Sequence, residues 1–481
     1  MTPTFRVVVV GGGIAGLTAA YTLRKIAAQA RANLRLTVLE SSDRWGGKIQ
    51  TERRDGFVIE GGPDTFVSTK PWGVALCREL GLEDRLQGAN MQQRRVFVVS
   101  NGKLVELPEG LAMMVPSRIG PMVRTRLLSP LAKLRMALDL VLPPRGEDAD
   151  ESLGRFISRR LGRQVYERLI EPLMSGIYAG DGDRLSLAST FPYLRDWERR
   201  YGSLTRGALR TARSLAEPRR SVFLTPIGGL AEIVEGLLSR LRDSDLRLRS
   251  SVRCVERSNT GYLLQLASGE AVEADAAVIA APAHAAAQML ARLDPKLAGH
   301  LSAIEYVSTA TVSLAFRSER LPRPLDGHGY VVPRIEGRQA LACTWTSTKF
   351  PHRAPAGGAL LRVFIGRAGI MDDPGVDEAE LIEIARHELA ETLGINAEPL
   401  FVRVARWPRS MPQYNLGHPE RLRQVAERLD RFPGLRLAGA AYTGIGIPDC
   451  IRSGEEAARA VHETLNPQAQ MAVPLGIEAA P

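Results

Sequence analysis

The sequence predicts an α/β protein with an additional α+β domain and a helical domain. Residues 5–29, FRVVVVGGGIAGLTAAYTLRKIAAQ, begin as a β-branched strand, turn on glycines and continue with helical spacing. Residues 300–410 combine long strands with one helix, DEAELIEIARHELAETL. Residues 111–215 are helical and rich in arginine. The chain is therefore expected to fold as several domains rather than as one core.

The composition is that of a soluble globular enzyme. Of the 481 residues, 44% are apolar and 24% are charged. No run of eighteen apolar residues occurs, so we expect no membrane-spanning helix. The chain enters VVVV after six residues without a basic and apolar leader, which indicates a cytoplasmic protein.

Positive charge is concentrated in one region. The net charge is +10, and residues 111–220 hold 20 Arg or Lys against 12 Asp or Glu, a surplus of 8. Such a region suits an anionic membrane surface, a polyanionic substrate or simply a solvated face. Nucleic-acid binding is disfavoured because the arginines lack interleaved aromatic residues. The four cysteines stand far apart, which argues against a metal site and against disulfides.

The N-terminal glycines form a dinucleotide-binding fingerprint. Gly11, Gly13 and Gly16 fill the pattern G-x-G-x-x-G between a strand and a helix. The first glycine permits a tight turn, the second lets the backbone approach a pyrophosphate, and the third lets helix and strand pack closely. A second strand, LRLTVLE, ends in Glu40, whose carboxylate can accept hydrogen bonds from ribose hydroxyls. These features predict a Rossmann-like nucleotide domain.

The following residues favour FAD over NAD. A nicotinamide dehydrogenase normally continues into another βα unit, whereas here Gly46-Gly47 and Gly61-Gly62 follow. Such glycines allow the backbone to fold closely along an extended ligand. The segment DRWGGK resembles the corresponding stretch of amine-oxidase-like flavoproteins, so FAD is the predicted cofactor.

The chain is predicted to pass repeatedly between its domains. Asn101-Gly102, between alternating apolar residues, predicts a type I′ hairpin. The predicted FAD-binding domain comprises 1–94, 216–298 and 411–465, the substrate domain 95–110 and 299–410, the helical domain 111–215, and a tail 466–481.

Two segments have specific interpretations. LAKLRMALDLVL is favoured to be an ordinary helix packed on its own domain; the alternatives are contact with a membrane and covering of a substrate entrance. The helix in GIGIPDCIRSGEEAA is expected to begin after a glycine turn, with Asp449 or Ser453 near its start. Its N-terminus, aimed at a flavin, would stabilise the negative charge that reduction places on the ring.

The chain resembles the oxygen-dependent porphyrinogen oxidases of haem biosynthesis over roughly residues 5–465. The motifs that carry the resemblance are VVVVGGGIAGL, DRWGGKIQTERRDGFVIEGGPDTF, EPLMSGIYAGDGDRLSLASTFP, MPQYNLGH and GIGIPDCI. Residues 343–369 resemble the soluble bacterial branch, which acts on coproporphyrinogen III rather than on protoporphyrinogen IX. The resemblance implies hydride removal from a methylene bridge onto flavin, with O2 as acceptor, H2O2 as product and six hydrogens removed in all.

The resemblance also implies the binding residues. The sequence shows no catalytic triad, so the catalytic residues stay unassigned, and no metal site is expected. The expected FAD contacts are Gly11, Gly12, Gly13, Ile14, Ala15, Gly16, Glu40, Ser41, Gly47, Lys48, Gly61, Gly62, Pro63, Asp64, Val252, Trp407, Gly444, Ile445, Gly446 and Ile447. For Trp407 an ordinary core position is an equal alternative. The expected substrate contacts are Lys70, Arg95, Gly176, Val331 and Phe364, with the two basic residues facing propionates.

Other interpretations share these motifs. An amine oxidase often holds its flavin through a cysteine near the C-terminal glycine turn, yet residues 439–447 contain none, so non-covalent FAD is expected. Carotenoid desaturases usually have longer apolar segments. A non-catalytic carrier of flavin or porphyrin would use the basic region for docking. A ferrochelatase is a candidate partner, and membrane contact is expected to be peripheral at most.

Overall fold

The computed structural model describes residues 4–112, 115–146, 149–214, 221–369 and 376–466. Apart from Asn466, the predicted tail lies outside this range. The strands, in chain order, are β1 (Thr4–Val10), β2 (Asn33–Leu39), β3 (Thr51–Arg54), β4 (Phe57–Glu60), β5 (Phe66–Val67), β6 (Leu86–Gly88), β7 (Val96–Ser100), β8 (Lys103–Glu106), β9 (Leu111–Ala112), β10 (Val115–Pro116), β11 (Phe223–Pro226), β12 (Asp245–Arg247), β13 (Val252–Arg257), β14 (Tyr262–Leu266), β15 (Ala271–Ala274), β16 (Ala276–Ile279), β17 (Tyr306–Arg317), β18 (Gly329–Val331), β19 (Ala340–Trp345), β20 (Gly358–Ile365), β21 (Phe401–Pro412) and β22 (Leu435–Leu437).

The helices, in the same order, are α1 (Ile14–Gln29), α2 (Pro71–Glu79), α3 (Ile119–Arg124), α4 (Pro130–Ala137), α5 (Leu153–Leu161), α6 (Arg163–Val165), α7 (Glu171–Tyr178), α8 (Leu187–Thr190), α9 (Pro192–Tyr201), α10 (Leu204–Ser214), α11 (Ala231–Arg240), α12 (Ala283–Leu290), α13 (Pro295–Ser302), α14 (Thr346–Lys349), α15 (Glu378–Leu393), α16 (His418–Leu429) and α17 (Ile447–Leu465). A π-helical turn, Tyr166–Ile170, joins α6 to α7.

The first sheet is parallel and has five strands, in the order β12-β2-β1-β16-β22. Its central strand β1 is apolar on both faces because both faces are covered. Val7 and Val9 face a core shared with α1, α11 and α17. Val8 and Val10 face a core shared with the β13-β14-β15 meander and with α12. Three distant chain segments thus meet in this sheet, as the predicted FAD-binding domain requires; its boundaries stay a prediction.

The second sheet has seven strands, in the order β21-β17-β20-β19-β18-β7-β8. The predicted hairpin is confirmed, because β7 and β8 pair antiparallel and both Asn101 and Gly102 have positive φ, 51° and 73°. Helix α15 packs on one face of the sheet through Leu381, Ala385 and Leu389. The other face, which carries alternate residues of β20, is directed towards the 60–64 turn.

Helices α3 to α10 form a third body with its own apolar core. The segment LAKLRMALDLVL forms a helix that packs on this core through Ala132 and Met136, as the favoured interpretation expected, but the helix is short. Helix α4 ends at Ala137 and continues as a single 3-10 turn, Leu138–Leu140, so its apolar residues do not form one inward stripe. Leu131 and Leu134 are 78% and 65% exposed, and the buried residue of α4 is Ala132.

Two expectations about individual features can be compared with the structure. Within the residues described, no helix is long and apolar enough to cross a membrane. All four cysteines are buried and free, as expected for structural thiols.

Candidate active site

The fingerprint forms a cradle at the carboxyl end of β1. Helix α1 begins at Ile14 with Gly13 as its N-cap, and no side chain caps it, so its first N–H groups are available to an anion. A Cβ on Gly16 would lie 1.9 Å from the carbonyl oxygen of Gly11, whereas the nearest atom to a Cβ on Gly13 is 4.0 Å away. Gly16 is therefore required by packing, and Gly13 leaves room for a ligand.

Glu40 closes this cradle at the end of β2. Its carboxylate accepts hydrogen bonds from the backbone N–H groups of Gly12 at 2.6 Å and Ser42 at 2.8 Å. The neighbouring Ser41 is exposed, and Val252 is buried where β13 begins. Backbone N–H groups fix the position of the Glu40 carboxylate and leave some of its lone pairs unused. These lone pairs can accept hydrogen bonds from ribose hydroxyls, as predicted.

The RWGGK segment lies directly against the cradle. The N–H of Gly46 donates to the carbonyl oxygen of Gly12 at 2.8 Å, which joins the two glycine stretches. Arg44 holds the turn by donating to the carbonyl oxygens of Gly47 at 2.5 Å and Ile49 at 3.2 Å. Sequence reasoning missed this role of Arg44. The signal would have been an arginine two residues before two consecutive glycines, which leave carbonyl groups to be satisfied.

Lys48 connects this segment to the second sheet. Its Nζ donates to the carbonyl oxygen of Ser410, near the end of β21. Burial lowers the pKa of Lys48. A Cβ placed on Gly62 would lie 1.8 Å from the carbonyl oxygen of Lys48. The backbones of residues 47–48 and 61–62 are therefore in direct contact.

The Gly61 carbonyl oxygen organises the second glycine turn. It accepts hydrogen bonds from the Thr311 hydroxyl and the Trp407 indole, both at 2.9 Å, and from Arg362 at 3.0 Å. The structure thus places Trp407 beside the turn with its polar atom engaged, rather than in an apolar core. Lys48, Gly61, Gly62 and Trp407, predicted from distant parts of the chain, are brought together.

Asp64 follows the turn and is surrounded by cations. The Lys349 ammonium lies 3.4 Å from its carboxylate. Burial alone would raise the pKa of Asp64, but the charges of Lys349, Arg362 and Arg353 outweigh burial and lower it to about 2. None of the three cations was predicted. Arg362, a charge in the middle of the apolar strand ALLRVFI, was the available signal.

The C-terminal glycine turn leads into helix α17. Helix α17 begins after the glycine turn with Asp449 in its first turn, as expected, but its N-cap is Gly446 and no side chain caps it. Ser453 instead accepts from the N–H of Gly439 at 3.0 Å, because it lies one turn too far along the helix. Asp449 accepts from Lys70 at 2.6 and 2.7 Å.

Residues 444–447 and Lys70 are also located by these contacts. The N–H of Gly444 donates to the Tyr414 hydroxyl at 2.9 Å, and Gly444 has a φ of 149°. Ile445 packs against the helical core, whereas Ile447 is buried in the nucleotide-domain core. The ammonium of Lys70 pairs with Asp449, and the expectation that Lys70 faces a propionate stays a prediction.

The other predicted substrate residues are spread over three elements. Phe364 is half-buried on β20, with the Arg362 guanidinium 4.7 Å from its ring centroid. Val331 borders the helical core, and nothing lies within 4 Å of a Cβ placed on Gly176. Arg95 is partly exposed and pairs with Asp326, so it belongs to the rim rather than to the interior.

A comparison with protein families decides the class. The model of flavin containing amine oxidoreductases matches residues 14–462. The chain belongs to this family. Its flavin oxidoreductase class and its flavin cofactor, predicted as FAD, are thereby confirmed, and the uncapped α1 terminus with its glycine cradle fits that group.

Individual relatives of this flavin oxidoreductase are similar over nearly its whole length. The coproporphyrinogen III oxidase of Bacillus subtilis (strain 168) is 39% identical over 94% of this chain and 96% of its own length. The enzyme of the same name from Staphylococcus aureus (strain NCTC 8325 / PS 47) is 35% identical over 95% and 99%. The chloroplastic protoporphyrinogen oxidase of Oryza sativa subsp. japonica is 32% identical over 95% and 88%. The resemblance to porphyrinogen oxidases is confirmed.

Solved structures agree on the fold. A structure from Exiguobacterium sp. 255-15 has a TM-score of 0.85 and 33% identity, covering 97% of this chain and 100% of its own. Cyclohexylamine oxidase from Brevibacterium oxydans IH-35A has a TM-score of 0.67 and 18% identity, covering 96% and 100%. The predicted amine-oxidase-like α/β fold is confirmed.

Proposed function

We propose that the chain oxidises coproporphyrinogen III to coproporphyrin III with FAD and O2, releasing H2O2, in haem biosynthesis. One observation supports the choice of substrate. Three relatives named coproporphyrinogen III oxidase are 35–39% identical, above the 28–32% of the plant relatives named protoporphyrinogen oxidase, and a fourth relative of the first name is 31% identical. Protoporphyrinogen IX, which requires the same chemistry, is the second candidate.

The chemistry balances over three rounds. FAD, when bound, supplies a two-electron acceptor that O2 can reoxidise. In each round a methylene bridge loses a hydride and a pyrrole nitrogen loses a proton. Each O2 takes up two electrons and two protons and leaves as H2O2. Three rounds remove six hydrogens, and tautomerisation between rounds presents the next bridge.

The residues of this chain contribute positioning and charge. Glu40 and the α1 terminus would hold the adenosine and pyrophosphate, while the 61–64 turn and Trp407 would support the ring end. Asp64, with its pKa lowered to about 2, stays ionised at neutral pH and can only accept hydrogen bonds. We therefore assign no proton-donating role to it and regard positioning as the main catalytic contribution.

The rim supplies the contacts for substrate carboxylates. Coproporphyrinogen carries four propionates, and protoporphyrinogen carries two. Arg95 and Lys70 are the proposed partners, each already shared with a carboxylate of the protein, Asp326 and Asp449. Phe364, Val331 and Gly176 are the proposed apolar lining.

The direct test uses purified protein loaded with FAD. Each porphyrinogen is supplied separately under air, and porphyrin fluorescence and peroxide are followed together. We expect rapid coproporphyrin formation with equivalent peroxide and a slow reaction with protoporphyrinogen. The reverse preference would assign the second candidate. One-for-one binding without peroxide would identify a carrier and overturn the proposal.

We propose that the FAD is held without a covalent bond. Cys450 is buried with its Sγ 4.0 Å from the Ile445 carbonyl oxygen, and burial raises the pKa of its thiol to about 12. A protonated, enclosed thiol is a poor nucleophile. Acid precipitation should leave the flavin colour in the supernatant, and a coloured pellet would contradict this assignment.

We place the enzyme in the cytoplasm, with at most peripheral membrane contact and a ferrochelatase as the candidate recipient of its product. The exposed side chains of α3 and α4 support a surface contact, since Ile119, Val123, Leu131 and Leu134 are all more than 60% exposed. Sedimentation with vesicles containing anionic lipid tests the membrane contact. Wild type should bind more than the L131S/L134S variant, and equal binding would remove this role.

A further inference from the structure

A group of five charged residues, three buried and two partly buried, lies at the 60–64 turn. Its carboxylates are Glu60 and Asp64, and its cations are Lys349, Arg353 and Arg362. Arg353 is fully buried, and Arg362 is 2% exposed. Three cations against two carboxylates leave one positive charge in excess. We call this group the turn cluster.

Arg362 is the member of the turn cluster that no carboxylate contacts. Arg353 donates to Glu60 at 2.8 Å, and Lys349 lies 3.4 Å from Asp64. The Arg362 guanidinium donates from Nη2 to the carbonyl oxygens of Gly61, at 3.0 Å, and Gly62. Its Nε and Nη1 have no hydrogen-bond partner among the described residues.

A buried charge in this state needs a nearby anion. Burial lowers the pKa of Arg362, yet a guanidinium stays protonated in a protein. An uncompensated charge in a low-dielectric interior is costly. Three of its five N–H bonds, one on Nε and two on Nη1, have no acceptor among the described residues. We therefore expect a further anion beside the turn, where the flavin is proposed to lie.

A second buried arginine provides the contrast. Arg367 also has unpartnered Nε and Nη1 atoms and donates from Nη2 to two carbonyl oxygens, those of Val332 and Ala340. Its Nη1, however, lies 3.7 Å from the Glu171 carboxylate. Arg367 thus has a carboxylate at salt-bridge distance, whereas Arg362 is attracted by Asp64 and Glu60 but forms no salt bridge with either.

We propose that Arg362 is a positioning residue that holds the Gly61–Gly62 turn beside the flavin and that its excess charge stabilises the negative charge which reduction places on the flavin. Uptake of two electrons and one proton leaves one negative charge on the ring, which matches the single excess charge of the turn cluster. A fixed charge in a water-excluded site acts strongly, because little solvent screens it. The proposal rests on the flavin and not on the identity of the substrate.

The test is the two-electron reduction potential of the bound FAD, measured anaerobically against a reference dye without any porphyrinogen. In R362M we expect the reduced state to be at least tenfold less favoured, which corresponds to a potential about 30 mV lower. Sulfite, which forms an anionic adduct with oxidised flavin, should bind at least tenfold more weakly. R362K keeps the charge and should recover most of the potential.

Two further variants make the sign of the effect decisive. D64N removes a carboxylate from the turn cluster and should shift the potential upwards, opposite to R362M. R367M, the matched buried arginine, should leave the potential unchanged. If R362M does not fold, the potentials of D64N and R362K still test whether the charge at this turn affects flavin reduction.

Contrary results are readily recognised. An unchanged potential and sulfite affinity in R362M, or a D64N potential that is unchanged or lower, overturns the proposal. A raised KM for porphyrinogen with an unchanged potential would show that Arg362 binds a substrate carboxylate instead. Failure of wild type to oxidise porphyrinogens would overturn the proposed substrate and leave the potential measurement intact.

Discussion

The proposed FAD site has two ends, which we call the nucleotide end and the flavin-ring end, and they are built by different means. The nucleotide end uses backbone N–H groups, glycines and one carboxylate, Glu40, from residues 11–16 and 40–47. The flavin-ring end uses side chains from five distant stretches: 60–64, 349–362, 407, 444–449 and Lys48. The nucleotide end is formed by residues close together in the sequence. The flavin-ring end is formed only when the two sheets pack together in the folded protein.

This difference determines how each end fails. At the nucleotide end the atoms are backbone, which cannot repack around an added group. At the flavin-ring end the contacts include buried charged side chains, which lose their partners when one side chain is removed. The following predictions separate the two modes, beginning with the largest expected effect.

A pair of glycine variants separates packing from ligand space within the fingerprint. In Gly16→Ala the new Cβ would overlap the Gly11 carbonyl oxygen at 1.9 Å. The damage should exceed the roughly 1–3 kcal/mol of ordinary overpacking, because the obstructing atom is backbone. We expect little folded protein, with or without FAD, by circular dichroism and thermal unfolding.

Gly13→Ala is the matched variant, since its Cβ would meet no protein atom closer than 4.0 Å. The apoprotein should melt as wild type does, while FAD affinity falls at least tenfold in a fluorescence titration. Equal melting of both apo variants would contradict the distinction between a packing glycine and a ligand glycine.

Arg353→Met removes one partner of a fully buried pair at the flavin-ring end. The Arg353 guanidinium donates to Glu60 at 2.8 Å and to the Thr225 hydroxyl at 2.6 Å. Leaving Glu60 buried without its cation should lower the free energy of unfolding by about 3–5 kcal/mol, measured in urea. Lys25→Met, which breaks an exposed pair with Glu79, should cost no more than about 1 kcal/mol.

The double variant E60Q/R353M checks the cause of that loss. If the loss comes from an unpaired carboxylate, neutralising Glu60 should restore part of the stability. A double variant less stable than R353M alone would show that shape rather than charge determines the effect.

What the sequence could predict follows the same division. The fingerprint, Glu40 and the Asn101-Gly102 hairpin are encoded by residues within one or two elements, so local rules suffice. The pairing of Trp407 with the 61–62 turn could only be suggested by family resemblance. No local rule relates β21 to residues some 340 positions earlier, yet the indole lies 2.9 Å from the Gly61 carbonyl oxygen.

The turn cluster escaped prediction for a physical reason. Whether a basic side chain is exposed or buried depends on the element that packs over it. Residues 60–64 contact Lys349, Arg353 and Arg362, which are distant from them in the sequence. The pair of Lys70 and Asp449 was missed although both residues had been singled out in the sequence. Each was noted in isolation, and neither prediction anticipated that they would pair.

His418 offers a pH test at the flavin-ring end. The imidazole is fully buried and stacks on Tyr414, with ring centroids 4.3 Å apart, and Tyr414 in turn holds the Gly444 turn. Burial lowers the pKa of His418 to about 4. The unfolded chain binds a proton below about pH 6.5, whereas the folded chain binds it only below about 4, so stability falls across this interval as pH decreases.

His418→Phe retains the stack and removes the titration. Between pH 7 and 4 wild type should lose about 2–3 kcal/mol more of unfolding free energy than the variant, measured by urea unfolding at several pH values. His352, whose pKa burial also lowers to about 4, remains in both proteins and provides the shared background. Parallel pH profiles would contradict the assignment to His418.

The rim should respond least, and only in the presence of substrate. Arg95 is about half exposed and pairs with Asp326, and exposed pairs contribute at most about 1 kcal/mol to stability. Arg95→Ala should therefore unfold as wild type does, while KM for coproporphyrinogen rises severalfold. The effect should shrink at high salt, because screening weakens attraction to a propionate in wild type. Arg292→Ala, at an exposed pair with Glu256, is the control for charge alone. If both variants change KM equally, the rim acts through its overall field, and Arg95 makes no specific contact.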